Sequence, residues 1–129
     1  MKYSQIIIEE NEFELLKNIT SKTKITGTKT NQSSIKKLKK ELRSAKILPK
    51  EKLPTDIVTI NSIVTLQMSN NVIRSFQIVT PEHSDIIQNK LSILSPIGLS
   101  LIGYAANDEI SWQLHSNPNK LKILKVLQN

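Results

Sequence analysis

Cysteine is absent from this 129-residue chain. Neither a disulfide framework nor a thiolate metal site can be built, so stability has to come from packing. Aromatic rings are scarce as well: Tyr3, Phe13, Phe76, Tyr104 and Trp112 are the whole set. The core must therefore be made of Ile, Leu and Val. Long apolar runs are missing too. The N-terminal stretch MKYSQIIIEENE holds three apolar residues in a row before the acids begin. That is too few for the apolar segment of a signal peptide, and nothing approaches a membrane span. A soluble cytoplasmic protein is the expectation. One more shortage is local: between Lys17 and Lys40 there is no Asp or Glu.

What charge there is lies unevenly. The formal net charge is +7. Residues 1–53 carry 13 Lys and Arg against 6 Asp and Glu, whereas residues 54–129 carry 5 of each. Within Lys17–Lys46, 10 basic residues face one acid, Glu41. Two electrostatically different parts are expected, 1–53 and 54–129, divided where Pro49 and Pro54 bracket KEKL.

In the first part, Asn11 followed by Glu14 resembles a capping box. Phe13, Leu16 and Ile19 fall at helical spacing, which predicts a helix from about Glu9 or Glu12 to Thr20. Residues 20–34 are rich in Thr, Ser and Lys and read as a long loop. Ser33 or Ser34 then caps a second helix. Its Ile35, Leu38, Leu42 and Ala45 form one apolar stripe, and Lys36, Lys37, Lys39, Lys40 and Arg43 cover the rest. The pair predicts a short antiparallel helical hairpin whose longer arm reaches about 20 Å.

From Asp56 the period shifts towards two. Ile57–Ile60 and Ile63–Met68 are strand candidates, Ser69–Asn71 a hairpin turn, and Val72–Thr80 the partner strand. Glu109–His115 and Lys120–Leu127 read as two more strands joined by a turn at Ser116–Asn119. Between these pairs lies KLSILSPIGLSLIG, residues 90–103. Leu91, Ile93 and Leu94 read as a short buried strand. Ser95 is a good N-cap and Pro96 suits the first helical position. Ile97, Leu99, Leu101 and Ile102 make a helix too apolar for the surface, and Gly103 closes it. An α+β domain is predicted for 54–129: a mostly antiparallel, curved sheet with one short helix packed on it.

The segment IVTINSIVTL at 57–66, the S-P-x-G-x-x-L-x-G run from Ser95 to Gly103, and NDEISW at 107–112 resemble the C-terminal domain of the Gre-type transcription factors. The resemblance is strongest to their short Rnk-type relatives, the regulators of nucleoside diphosphate kinase, and it covers roughly residues 54–128. It implies an FKBP-like fold and docking on the RNA polymerase core enzyme at the rim of the secondary channel, with the hairpin pointing inward. It also makes Ser95 and Pro96 the matching polymerase contacts; the position before them, often acidic in Gre factors, is Leu94. In the cleavage-stimulating members a long coiled coil carries acids that help hold a catalytic metal. Here the arms are short and the tip has no acid, and hard cations need oxygen ligands. Cleavage stimulation is therefore not expected. The reading is a monomeric regulator of elongation, not an enzyme, with no cofactor, metal or catalytic residue. An FKBP-like fold alone does not imply prolyl isomerisation, and five scattered rings make a poor proline pocket.

Other residues have plainer readings. Capping by itself accounts for Ser95 and Pro96. Asn107-Asp108 reads as a turn, so Asp108 and Glu109 are not taken as an acid pair. His83 and His115 lie apart and form no ligand set. Trp112 reads as core. Three roles stay open for the basic helix: a solvated face, contact with phosphates or RNA, or contact with an acidic protein surface. A free-standing nucleic-acid-binding module working through residues 17–46 is the alternative to polymerase docking. No aromatic lies within that segment, so base stacking on it is excluded.

Overall fold

The isoleucine run near the N-terminus enters a strand: Ile7, Ile8 and Glu9 are extended and paired. In a computed structural model, the structure describes residues 2–22, 29–68, 71–114 and 117–128, with backbone alone at 21–22, 29–34, 111–114 and 117–119. The chain opens with strand β1 (Ile7–Glu9), helix α1 (Glu10–Lys22), helix α2 (Lys29–Arg43) and strand β2 (Lys46–Leu48). β1 and β2 pair in parallel. Parallel neighbours need a long crossover, and the two helices supply it. Ile6, Ile7 and Ile8 are all buried, which marks a strand covered on both faces. A three-residue run shows no period, so this strand is not legible in the sequence.

Local chemistry also shifts the helix starts. The N-cap of α1 is Glu9, whose Oε2 accepts the Glu12 N–H at 3.0 Å, so the helix is capped two residues earlier than Asn11, and by a single bond: the Glu12 carboxylate accepts from Ile60 instead of closing a capping box. α2 begins at Lys29. Ser33 and Ser34 therefore lie inside it rather than capping it. The loop expected at 20–34 is correspondingly shorter, and residues 23–28 lie outside the described ones. The stripe Ile35, Leu38 and Leu42 is buried as expected.

The second part contains β3 (Ile63–Gln67), β4 (Ile73–Val79), β5 (Lys90–Ser92), α3 (Pro96–Leu101), β6 (Glu109–Leu114) and β7 (Asn117–Leu127). They form one five-stranded sheet in the order β5-β4-β3-β7-β6. The sheet is mixed rather than antiparallel throughout, because β5 runs parallel to β4. After β4 the chain doubles back through two short 3-10 turns, Pro81–His83 and Ile86–Gln88, before β5 sets off again. The other three pairings are antiparallel, with a bulge in the β3–β7 pair between Thr65 and Leu66.

Ile57–Ile60 is not a strand. It makes a single bridge, Ile57 to Ala105. Asn61 then adopts a left-handed conformation at φ 74°, and Ser62 Oγ accepts the buried Thr59 N–H at 2.9 Å. These residues close a turn instead. β7 starts at Asn117, which absorbs most of the turn expected at Ser116–Asn119. The side chain of Trp112, His115, Ser69 and Asn70 all lie outside what the structure describes.

One apolar cluster runs from Ile6, Ile8 and Leu16, through Ile35, Leu38 and Leu42, to Val64, Leu66, Ile78 and Val126. The helical pair and the sheet therefore share a core. α3 is packed between them, against α2 as well as β5 and β6. The sequence reading gave α3 only a sheet to pack on; the second wall is α2.

Candidate functional site

The Ser92–Gly98 corner is held by two serines. Ser95 Oγ accepts the Gly98 N–H at 3.1 Å and donates to the Ser92 carbonyl at 2.7 Å. Ser92 Oγ accepts the Leu94 N–H at 3.0 Å. Ser95 is thus the N-cap that the sequence predicts, with Pro96 at the first helical position. Both are half-buried. The corner is also tight. A Cβ on Gly98 would lie 2.3 Å from the Ser92 carbonyl oxygen, so only glycine lets α3 approach β5 this closely. Leu94, directly before Ser95, is half-buried and packs against the core cluster.

At the other end of α3, Gly103 has φ +84°. Its carbonyl accepts the Ile7 N–H, and its own N–H donates to Val58, both at 3.1 Å. A Cβ there would meet Ile6 at 2.8 Å. This residue joins β1 to the second part of the chain. Asp108 does similar work. It is 4% exposed, and its carboxylate accepts the N–H groups of Ala105 and Lys2. The turn reading of Asp108 is therefore right, with the added point that it also anchors the N-terminus.

The basic helix does not present one face. Lys37 Nζ lies 3.4 Å from Glu41 Oε1 and 5.1 Å from the centroid of the Tyr104 ring. Tyr104 donates its hydroxyl to Glu41 Oε1 at 2.8 Å. Burial, and then that hydrogen bond, push the Tyr104 pKa up, so the phenol stays a donor. The lone acid of the basic run is thus a fastener between α2 and the residues just after α3. Lys36, Lys39, Lys40 and Arg43, spaced three and four residues apart, share one exposed side. Lys39 and Arg43, with Leu42, line a groove of about 260 Å³ completed by Phe13, Lys17 and Thr20 of α1. Phe13 lies outside the 17–46 segment, yet the antiparallel packing of α1 on α2 sets it among these cations. Judging aromatics by segment missed it.

A second recess, of about 390 Å³, opens where α1 begins. Glu9, Glu12, Lys50, Thr59, Asn61 and Gln128 are among the residues that line it. Glu12 Oε1 accepts the Ile60 N–H at 3.1 Å, which ties α1 to the 57–62 segment. Burial pushes the Glu12 carboxyl up to about 7. The Ile60 N–H opposes this, nearby Glu9 adds to it, and Lys50 also opposes it. Nothing in the sequence around Glu12 signals this contact, because its partner is 48 residues away. Among the described residues no group of three or more His, Cys, Asp or Glu could hold a metal ion, and no helix is long and apolar enough to cross a membrane.

Comparison with known proteins sets these features in a family. Residues 53–128 match the family described as transcription elongation factor GreA/GreB, C-terminal. Over 121 residues the chain is 31% identical to transcription elongation factor GreA of Alkaliphilus oremlandii, covering 93% of this chain and 71% of that one. It is 33% identical over 78 residues to the regulator of nucleoside diphosphate kinase of Escherichia coli, covering 60% of this chain and 57% of the other. The solved structure of a GreA/GreB elongation factor from Nitrosomonas europaea superposes with a TM-score of 0.76 at 27% identity, covering 96% of this chain and 98% of that one. The match contains the Ser95–Gly103 corner, and the superposition takes in the helical pair as well, so this chain is a member of the GreA/GreB family.

Proposed function

We propose that this protein is a transcription elongation factor that docks on the RNA polymerase core enzyme at the rim of the secondary channel and does not stimulate transcript cleavage. The observation that carries the reading is the family match over residues 53–128, with the Ser95-Pro96 corner inside it. In this view the division of the chain is functional. Residues 54–129, an FKBP-like unit, provide the docking surface through Ser95 and Pro96. Residues 1–53 place α1 and α2 towards the channel.

The argument against cleavage is electrostatic. Holding a divalent cation near the transcript end needs carboxylates at the tip of the helical pair. The stretch from Lys17 to Lys40 contains none, and its lysines would repel the ion. α1 has 13 residues and α2 has 15, so each spans only about 20 Å.

Two measurements test this. The purified full chain should bind core polymerase with a Kd on the order of micromolar in moderate salt. No binding there would overturn the docking assignment. Adding saturating protein to backtracked elongation complexes should leave the RNA length unchanged. Rapid shortening of the transcript would show that the missing acids do not decide the matter.

A further inference from the structure

The groove between α1 and α2 plays no part in the docking reading, and its chemistry is of one kind. Its floor is apolar: Phe13 and Leu42, with the methyl of Thr20, whose hydroxyl is spent on the Leu16 and Lys17 carbonyls. Among the described residues its rim is three cations, Lys17, Lys39 and Arg43, and no carboxylate lines it. Among the described residues neither Lys39 nor Arg43 has an acid within ion-pair distance; the pairs formed are Lys2–Asp56, Lys37–Glu41 and His83–Glu82. Lys17 Nζ sits 6.0 Å from the centroid of the Phe13 ring, at the outer limit of a cation–π contact, so little holds it back from a stronger anion. Lys39 and Arg43 are four residues apart on one helix and emerge on the same side.

We propose that this groove binds a nucleoside polyphosphate, with the phosphates on Lys39, Arg43 and Lys17 and the base or sugar against Phe13 and Leu42. Three cations match the charge of a di- or triphosphate, and Arg43 adds a fork suited to phosphate oxygens. The apolar floor has no use for an inorganic anion. The volume of about 260 Å³ is just below the range of small-molecule sites, so it takes a heterocycle and leaves the rest of the ligand in water. A partner helix, roughly 10–12 Å across, does not fit it. The rim cations continue into an exposed basic side with Lys36 and Lys40, but a nucleic-acid strand tracking that side has no need of the apolar floor of Phe13 and Leu42, so RNA is the competing outcome of the test. The proposal does not depend on polymerase docking.

ATP, inorganic triphosphate, adenosine and a short single-stranded RNA are titrated into the full chain by calorimetry at about 50 mM salt, where screening is weak. ATP should bind with a Kd on the order of 100 µM, triphosphate several-fold more weakly, and adenosine not measurably. Raising salt to about 300 mM should weaken ATP binding roughly tenfold. The double variant Lys39→Glu with Arg43→Glu should lose at least about tenfold. Lys36→Glu with Lys40→Glu makes the same change in net charge outside the groove and should stay within about threefold. All four positions are exposed, so folding, followed by circular dichroism, should be unchanged. Phe13→Leu should weaken ATP but not triphosphate. Failure of ATP to bind at about 5 mM, equal losses in the two charge-reversed pairs, or RNA binding that ATP does not compete with would each overturn the proposal.

Discussion

Glu12→Gln is the substitution that best isolates what burial does at the junction of α1 and the 57–62 turn. The carboxyl has an ordinary value of 4.5 and is raised to about 7 in the folded protein, first by burial. The folded chain therefore holds this proton more tightly than the unfolded chain does. Stability is highest below the unfolded value, falls as pH rises from about 4.5 to about 7, and is level above that. The full linkage over that interval is about 3 kcal/mol. Glu12 is half-buried beside an open recess, so solvent screening reduces the effect to roughly 1–2 kcal/mol. Gln keeps an oxygen to accept the Ile60 N–H and removes the charge that burial penalises. Urea unfolding of wild type and variant at a series of pH values measures the difference directly, and other titrating groups cancel in the comparison. At pH 8 the variant should be more stable by roughly 1–2 kcal/mol. Its melting temperature should rise by about 4 °C per kcal/mol. Near pH 4.5 the difference should vanish. A difference independent of pH, or a variant less stable at pH 8, would refute the reasoning. It would mean that the ionised carboxylate gains more from Ile60 and Lys50 than it loses by burial.

Two further substitutions probe the elements around α3. Gly98→Ala places a methyl 2.3 Å from the Ser92 carbonyl, which is rigid backbone already accepting from Ser95; a loss of about 3 kcal/mol or more in urea unfolding is expected. Tyr104→Phe removes the donor to Glu41 and should cost about 1.5–3 kcal/mol, since the lost bond is to a charged group; the loss should shrink in Tyr104→Phe combined with Glu41→Gln.

Much of the second part was legible because its signals are local. Ser95 caps the Gly98 amide and Pro96 opens the helix, and both facts follow from neighbouring residues. The apolar stripe of α2 is read from spacing alone. The parts that went unread share a physical cause. β1 is three residues long, too short to show a period. The parallel course of β5 depends on how two 3-10 turns redirect the chain, not on the strand's own composition. Ile57–Ile60 has strand-like residues, but a left-handed Asn61 and the Ser62 hydroxyl turn it aside.

By itself the sequence determined the composition of the core, the existence of α3 and its cap, the excess of positive charge in the first part, and the lack of acids between Lys17 and Lys40. Each of these is a property of one residue or of a few neighbours. Tertiary structure decided how the charge is used. Lys36, Lys37, Lys39, Lys40 and Arg43 look equivalent along the chain, but a helix sends successive side chains to different sides. What stands on each side is chosen by packing. Tyr104 takes Lys37 through Glu41, α1 brings Phe13 and Lys17 to Lys39 and Arg43, and Lys36 and Lys40 remain in water. The same holds for Glu12, whose proton affinity is raised by burial and opposed by a backbone N–H from a segment 48 residues away. Contacts between distant residues have no local signature, and those contacts turn a basic segment into a fastener on one side and a cation-rimmed groove on the other.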